Sequence, residues 1–306
     1  MIASMRCPLP ACSPSPSANS FKSTPCIVAF GGRNLKKSSR LKVNATAAQQ
    51  EEDFQVLAAI QTRYNNVVIV DTSESRLLLL DSTHNVHSML NKETKWTDSY
   101  WDEFSALPPV VPPGPIAIFG LGGGTAAHLM LDLWPSLQIH GWEIDEILIH
   151  LSREYFGLAD LEKQTREGGM LTVHIGDVFS PDAAISGGYA GIIVDLFAEG
   201  KVLPELEEAA TWLQLSEKLM PGGRFMVNCG AGEGDAVSRD NDPWKLNAAI
   251  RAMCEAFPGQ VNWKKMPKGS GENYMALTGI LPDLSAWCAA LPYPLNSSIN
   301  PWTTCN

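Results

Sequence analysis

The sequence predicts an α/β protein whose main body is a doubly wound, mostly parallel sheet, preceded by a small N-terminal antiparallel β domain. Three observations carry this. From residue 116 onward, apolar strand-like runs alternate with amphipathic helical stretches, the pattern of a parallel sheet covered on both faces. The first of those runs ends in a cluster of glycines, "AIFGLGGGTAAHLM" at 117–130. Ahead of it, from about 53 to 90, short β-type runs are separated by turn residues with no helix between them.

The elements follow in order. "NNVVIVDT", "SRLLLLDS" and "HNVHSML" have strand length and aliphatic or β-branched content, so 53–105 reads as the small β domain. After "WTDSYWDEF" (96–104) comes "PPVVPPGP" (108–115), a connector that cannot continue a helix. The main domain, 114–281, opens with the strand "IAIFG" and the helix "TAAHLMLDLW". "LQIHGWE" (137–143), "LTVHIGD" (171–177), "AGIIVDLF" (190–197) and "RFMVNC" (224–229) are further strands, with "EILIHLSREYF" (146–156) a helix. "LPELEEAATWLQLSEKLM" (203–220) reads as one long amphipathic helix stopped by Pro221, Gly222 and Gly223. A helix over 243–257 precedes a hairpin made from "QVNWKKM" and "NYMALTGI", and the tail, 282–306, reads as irregular.

Charge is unevenly spread. Residues 1–50 hold no Asp or Glu but carry Arg6, Lys22, Arg33, Lys36, Lys37, Arg40 and Lys42 among many Ser and several Pro. Residues 1–45 therefore read as a disordered transit peptide, with the chloroplast favoured as destination; a disordered tail with no address is the alternative. The remainder has 16 Lys+Arg against 33 Asp+Glu, a net charge of −17. That balance disfavours a nucleic-acid partner, because phosphate contacts need a basic face. No stretch reaches the roughly 18 uninterrupted apolar residues of a membrane-spanning helix, so the chain reads as soluble. Cys7, Cys12 and Cys26 fall in the segment read as a transit peptide; Cys229, Cys254, Cys288 and Cys305 are widely spaced and read as buried or free thiols. His84 and His87 lack a third ligand, so no metal is expected.

In open α/β sheets ligands sit beyond the carboxyl ends of the strands, which singles out Gly120 to Gly124, Glu143, Asp177 and Asp195. Gly120, Gly122 and Gly124 let the chain turn sharply and bring N–H groups toward an anion or a nucleoside. Glu143, 23 residues after Gly120, is placed to accept hydrogen bonds from ribose hydroxyls. A glycine run with a distant acid is by itself equally compatible with a structural turn. A dinucleotide site ranks last, because β-branched Thr125 stands where close packing wants a small residue. Asp145 reads as the cap of the following helix, and a cap is also the bland alternative for Asp195.

Residues 64 to about 230 resemble the spermidine synthase superfamily, which has a class I methyltransferase (Rossmann-like) fold and an N-terminal β domain; the leader points to a plant plastid-type member. The family's Leu-Asp-Gly turn and later Gln are similar to Leu80, Asp81, Ser82 and Asn85. Its Tyr-His/Gln-Glu is similar to Tyr100, Trp101 and Asp102. Its Gly-Gly-Gly-Asp-Gly loop is similar to Gly120, Leu121, Gly122, Gly123 and Gly124, and its Val-Glu-Ile-Asp to Trp142, Glu143, Ile144 and Asp145. Its adenine-contacting Gly-Asp is similar to Gly176 and Asp177, and its catalytic Val-Asp to Val194 and Asp195.

The resemblance implies a donor site made by Gly120, Gly122, Gly123, Gly124, Glu143, Asp177 and Asn85, and a catalytic group of Asp195 with Tyr100 and Asp102. The amine half departs from the family: the loop Asp is Gly123, the Gln is Asn85, and the acid after Asp195 is Ala198, leaving Glu199 as a neighbouring substitute. A loop Asp would pair with the ammonium of decarboxylated S-adenosylmethionine and repel the carboxylate of the full donor. Gly123 therefore shifts the expectation to S-adenosyl-L-methionine, with its N–H groups freed for that carboxylate, and to methyl transfer onto a small-molecule acceptor. Aminopropyl transfer to an amine in polyamine (spermidine) biosynthesis is the alternative, and a non-catalytic nucleoside-binding scaffold is another. The family commonly pairs through its N-terminal domains, so a homodimer is also implied.

Overall fold

The computed structural model describes residues 54–232, 243–267 and 273–305. The segment read as a transit peptide lies outside the described residues. Residues 51–306 form one compact unit.

The chain opens with four strands, β1 (Gln55–Gln61), β2 (Asn66–Asp71), β3 (Ser75–Leu79) and β4 (Ser88–Asn91), joined in that order as an antiparallel sheet. β1 precedes the three runs legible in the sequence. Helix α1 (Tyr100–Phe104) leads into β5 (Ile116–Phe119), α2 (Thr125–Leu133), β6 (Gln138–Glu143), α3 (Glu146–Tyr155), α4 (Leu158–Leu161) and β7 (Met170–Ile175). Then come β8 (Tyr189–Val194), a two-residue hairpin of β9 (Phe197–Ala198) and β10 (Lys201–Val202), α5 (Ala209–Ser216) and β11 (Leu219–Asn228). Helix α6 (Ala248–Ala256), strands β12 (Val261–Lys265) and β13 (Tyr274–Thr278), helix α7 (Leu284–Ala289) and strand β14 (Thr303–Thr304) complete it.

The main sheet has eight strands in the order β14-β12-β13-β11-β8-β5-β6-β7. The run from β11 to β7 is parallel, and β13, β12 and β14 are antiparallel. Strand order therefore reverses between β5 and β8, and a crevice opens beyond their carboxyl ends. Both strands are buried throughout, and their side chains alternate between two cores. Ile116, Ile118 and Ile193 join one face, and Ala117, Phe119, Ile192 and Val194 the other. The inner face of the small sheet, Val67, Ile69 and Leu78, packs on Leu148, Leu151 and Phe156 at α3.

Three expectations change. The helix over 243–257 is interrupted: a 3-10 turn at Pro243–Leu246 precedes α6, with Asn247 extended between them and capping α6 through Ile250 N. The helix over 203–220 is broken: a 3-10 turn at Pro204–Glu207 and α5 are separated by Glu208 in an extended conformation, and the Trp212 indole donates to Leu206 O across the break at 2.8 Å. Pro221, Gly222 and Gly223 lie inside β11, where the register with β8 shifts between Leu219 and Arg224. A Cβ on Gly223 would sit 2.8 Å from Tyr189 O, so these residues make a bulge against β8. The tail is not irregular: α7 and β14 lie in it, and Trp287, Leu291, Leu295, Ile299 and Trp302 are buried in the first core. Its apolar residues are spaced too unevenly for either period, because they follow a wrapping path over other elements.

Candidate active site

Five strand ends line up along one edge of the sheet: β7 before Asp177, β6 at Glu143, β5 before Gly120, β8 before Asp195, and β11 at Asn228. Gly120 and Asp195 meet at the reversal point. The Asp195 N–H donates to Phe119 O at 2.9 Å, and a Cβ on Gly120 would lie 2.2 Å from Asp195 O. Only glycine permits these two strands to end so close together.

The glycine loop is closed by protein. Gly120 N and Leu121 N donate to Trp142 O, Gly122 N to the Glu143 carboxylate at 3.1 Å, Gly123 N to the Ser88 hydroxyl at 2.8 Å, and Gly124 N to Leu121 O. Each missing Cβ is matched by a neighbour: Ser88 Oγ lies 2.8 Å from the position at Gly122, Ser88 Cβ 2.8 Å from that at Gly123, and a Leu158 methyl 2.6 Å from that at Gly124. Gly122 and Gly124 also have left-handed φ of 54° and 82°. The sequence left these glycines open to the approach of a ligand or to a structural turn; close packing of β4, α3 and α4 on the loop accounts for them as well. Thr125 reinforces the dock, its hydroxyl accepting from Met89 N at 2.8 Å and donating to Met89 O at 3.0 Å.

Glu143 is half-buried and accepts from Gly122 N, Ile144 N and Asp145 N; burial raises its carboxyl pKa while those three bonds oppose the rise. Asp145 caps α3 through Ile147 N and Leu148 N and also accepts from Thr62 and Asn65 of the small sheet. Asp177 is exposed beyond β7, bonded to Phe179 N.

Asp195 is the most perturbed carboxyl at this edge. Burial pushes it from the ordinary 3.8 up to about 6, opposed by hydrogen bonds from the Asn228 amide, the Tyr100 hydroxyl and the Trp101 indole. The Asn228 bond is 2.9 Å, and Asn228 Oδ1 is itself held by Gly230 N and the Asn273 amide. Burial and the Asp195 charge hold the Tyr100 phenol well above its usual range, so it is a donor to Asp195. A carboxylate offers about four lone-pair directions. Asn228 fills one of them at 2.9 Å, with Tyr100 and Trp101 beside the same carboxyl.

The other expected residues are placed differently. Asp102 does not meet Asp195: it is buried and accepts from Thr97 N, Thr97 Oγ1 and Asp98 N, holding the turn before α1. Burial raises its pKa against those bonds. The cause is helical geometry, since Tyr100 and Asp102, two apart, point to different sides. Asn85 is exposed and lies against Gly200. Trp101, Asn228 and Ser88 were missed as partners of the site. A polar residue ending a buried strand was the available signal for Asn228; Ser88 had none.

The cleft at Asp195 is bounded by His87, Ser88, Trp101, Gly120 and Thr125 and is narrow, about 10 Å³. His87 also borders an outer cavity of about 140 Å³ lined by Tyr64, Asp81, Phe197 and Glu199. His87 Nε2 lies 3.4 Å from Asp81 and Nδ1 2.9 Å from Asn85 O. Among the described residues no group of three or more His, Cys, Asp or Glu could hold a metal ion.

No protein-family model matches the chain. A probable spermidine synthase from Corynebacterium glutamicum ATCC 13032 superposes with a TM-score of 0.56 at 18% identity, covering 81% of this chain and 90% of that one. Spermidine synthase from Thermotoga maritima gives 0.53 at 17% identity, covering 73% and 72%. The chain has the fold of the spermidine synthases. In sequence, a probable polyamine aminopropyl transferase from Bifidobacterium longum (strain NCC 2705) is 28% identical over 167 residues, 54% of this chain. The chain spans 35% of the length of that curated relative. The spermidine-synthase resemblance is thus found both in sequence and in fold.

Proposed function

We propose that this chain is a transferase that moves a group from an S-adenosyl sulfonium donor to an amine, with aminopropyl transfer from decarboxylated S-adenosylmethionine as its reaction. The observation that carries this is Asp195, a half-buried carboxyl whose pKa burial raises to about 6, at the reversal point of the sheet. An amine is protonated at neutral pH and must lose a proton to attack carbon. A carboxylate of raised pKa is suited to take it. Donor binding falls to Glu143, which would exchange its backbone donors for ribose hydroxyls, and to Asp177 at the adenine edge. The sulfonium centre would make the bonded carbon electrophilic, and Tyr100, Trp101 and Asn228 would keep Asp195 aimed at the incoming nitrogen. The second cationic end of the acceptor would lie in the outer cavity with Asp81 and Glu199. The name of the Bifidobacterium relative supports the amine as substrate.

Methyl transfer from the full donor is the second reading, favoured by the lack of a carboxylate at 123. Its physical basis is weakened, because the Gly123 N–H is taken by Ser88 and is not free for a donor carboxylate. The deciding assay incubates the purified chain with putrescine and either donor. Methylthioadenosine released from the decarboxylated donor is expected. S-adenosylhomocysteine from the full donor alone would replace this reading with methylation. Donor binding without either product would make the chain a scaffold.

A further inference from the structure

Three cysteines distant in sequence meet at one edge of the second core. Cys229 follows β11, Cys254 lies on α6 and Cys305 follows β14, and all three pack in or against the same apolar cluster. Cys305 is positioned by its N–H on Val261 O at 2.9 Å and by the pairing of Thr304 with Asn262, whose side chains also bond at 2.8 Å. Strand β12 also packs against α6, so Cys305 and Cys254 lie on elements that share β12, and the Cys305 thiol hydrogen-bonds the Cys254 thiol. Both are half-buried, hence reachable, whereas Cys229 is buried.

We propose that Cys254 and Cys305 are a dithiol site that reacts with low-molecular-weight disulfides and closes into a disulfide joining the C-terminal strand β14 to α6. Cys254 is the attacking sulfur, since the bond from Cys305 pulls its pKa down against burial. Burial and the neighbouring Cys254 push the Cys229 thiol up and keep it a bystander. The Cys254 thiolate displaces one thiolate from glutathione disulfide, forming a mixed disulfide. The Cys305 thiolate then attacks the Cys254 sulfur and expels the second glutathione thiolate. Two protein thiols are oxidised, the reagent disulfide is reduced to two thiols, and the two protons pass to the leaving sulfurs.

The site bears on the rest of the molecule through the tail, whose Trp287 indole donates to Ala106 O next to α1. Its chemistry does not depend on the proposed transfer reaction. The test equilibrates the reduced full-length chain with graded glutathione and glutathione disulfide, quenches with acid, alkylates and maps peptides without reduction. The expected product joins the Cys254 and Cys305 peptides, lighter by two hydrogens, with Cys229 and Cys288 alkylated. Replacing Cys305→Ser should instead trap glutathione on Cys254. Both thiols alkylated at every ratio, or Cys254 joined to Cys288, would overturn the proposal. If the variant does not fold, the peptide map of the unaltered chain still decides.

Discussion

Asp195 is held in a state that water would not allow, and its consequences are measurable one residue at a time. Its rise from 3.8 to about 6 means that the active, ionised base accumulates as pH rises through about 6. The rate kcat/KM should climb over that interval. Tyr100→Phe removes a bond that favours the charged form, so the rising limb should move to higher pH, with kcat reduced about tenfold or more. The stability effect has the opposite direction. A carboxyl whose folded pKa is raised contributes stability below the unfolded value, and that contribution is lost as pH rises through about 6. Asp195→Asn should therefore gain on the parent chain between about pH 4 and pH 8, by up to about 3 kcal/mol, in melts run at both. Gly123 invites a third measurement at this scale. An added Cβ would stand 2.8 Å from Ser88 Cβ and 3.2 Å from the Phe156 ring, so Gly123→Ala should cost about 1–3 kcal/mol by urea titration. Adding Ser88→Gly should recover part of it.

At the scale of elements, α1 is a short helix with two duties. Tyr100 and Trp101 reach Asp195, and Glu103, nearly one turn on from Tyr100, makes a buried ion pair with Lys264 of β12. Lys264 is 3% exposed, and Ser298 donates to the same Glu103 oxygen while its carbonyl accepts from the ammonium. Burial pulls the Lys264 pKa down and Glu103 opposes it. Glu103→Ala would leave a cation buried without its counter-charge and should cost about 3–5 kcal/mol in a denaturant titration. The double variant with Lys264→Met should be more stable than Glu103→Ala alone. Glycine spacing and strand-end acids made β5, β6 and Glu143 legible, because both signals are local. That Asp102 turns away from Asp195 was not, since it depends on which side of a five-residue helix faces the crevice.

Across the whole molecule, the tail closes the first core. Trp287 is 2% exposed and packs against Trp302, the rings tilted 32° with centroids 5.9 Å apart. Trp287→Ala should destabilise the chain by about 3–5 kcal/mol and speed hydrogen exchange in α1 as well as α7, because the indole bonds the backbone just after α1. Exchange confined to α7 would show that the tail folds independently of the site. The same scale governs the small sheet, whose β4 edge supplies Ser88 and Met89 to the glycine loop, so loosening one should loosen the other.

By itself the sequence determined the alternation of the main strands and helices from β5 to β11, the reversal of the sheet implied by the resemblance, and the residues that end those strands, because period and turn chemistry are written within a few neighbours. The tertiary structure decided which of those residues meet. Asn228 and Asp195 are 33 positions apart, Gly123 and Ser88 are 35, and Lys264 and Glu103 are 161. No local pattern records such pairs, since each forms only when separate elements pack and an unfilled polar group or a missing Cβ must be matched. For the same reason the glycines of the loop were legible as a turn, while the hydroxyl and methyl groups that occupy their empty side-chain positions were not.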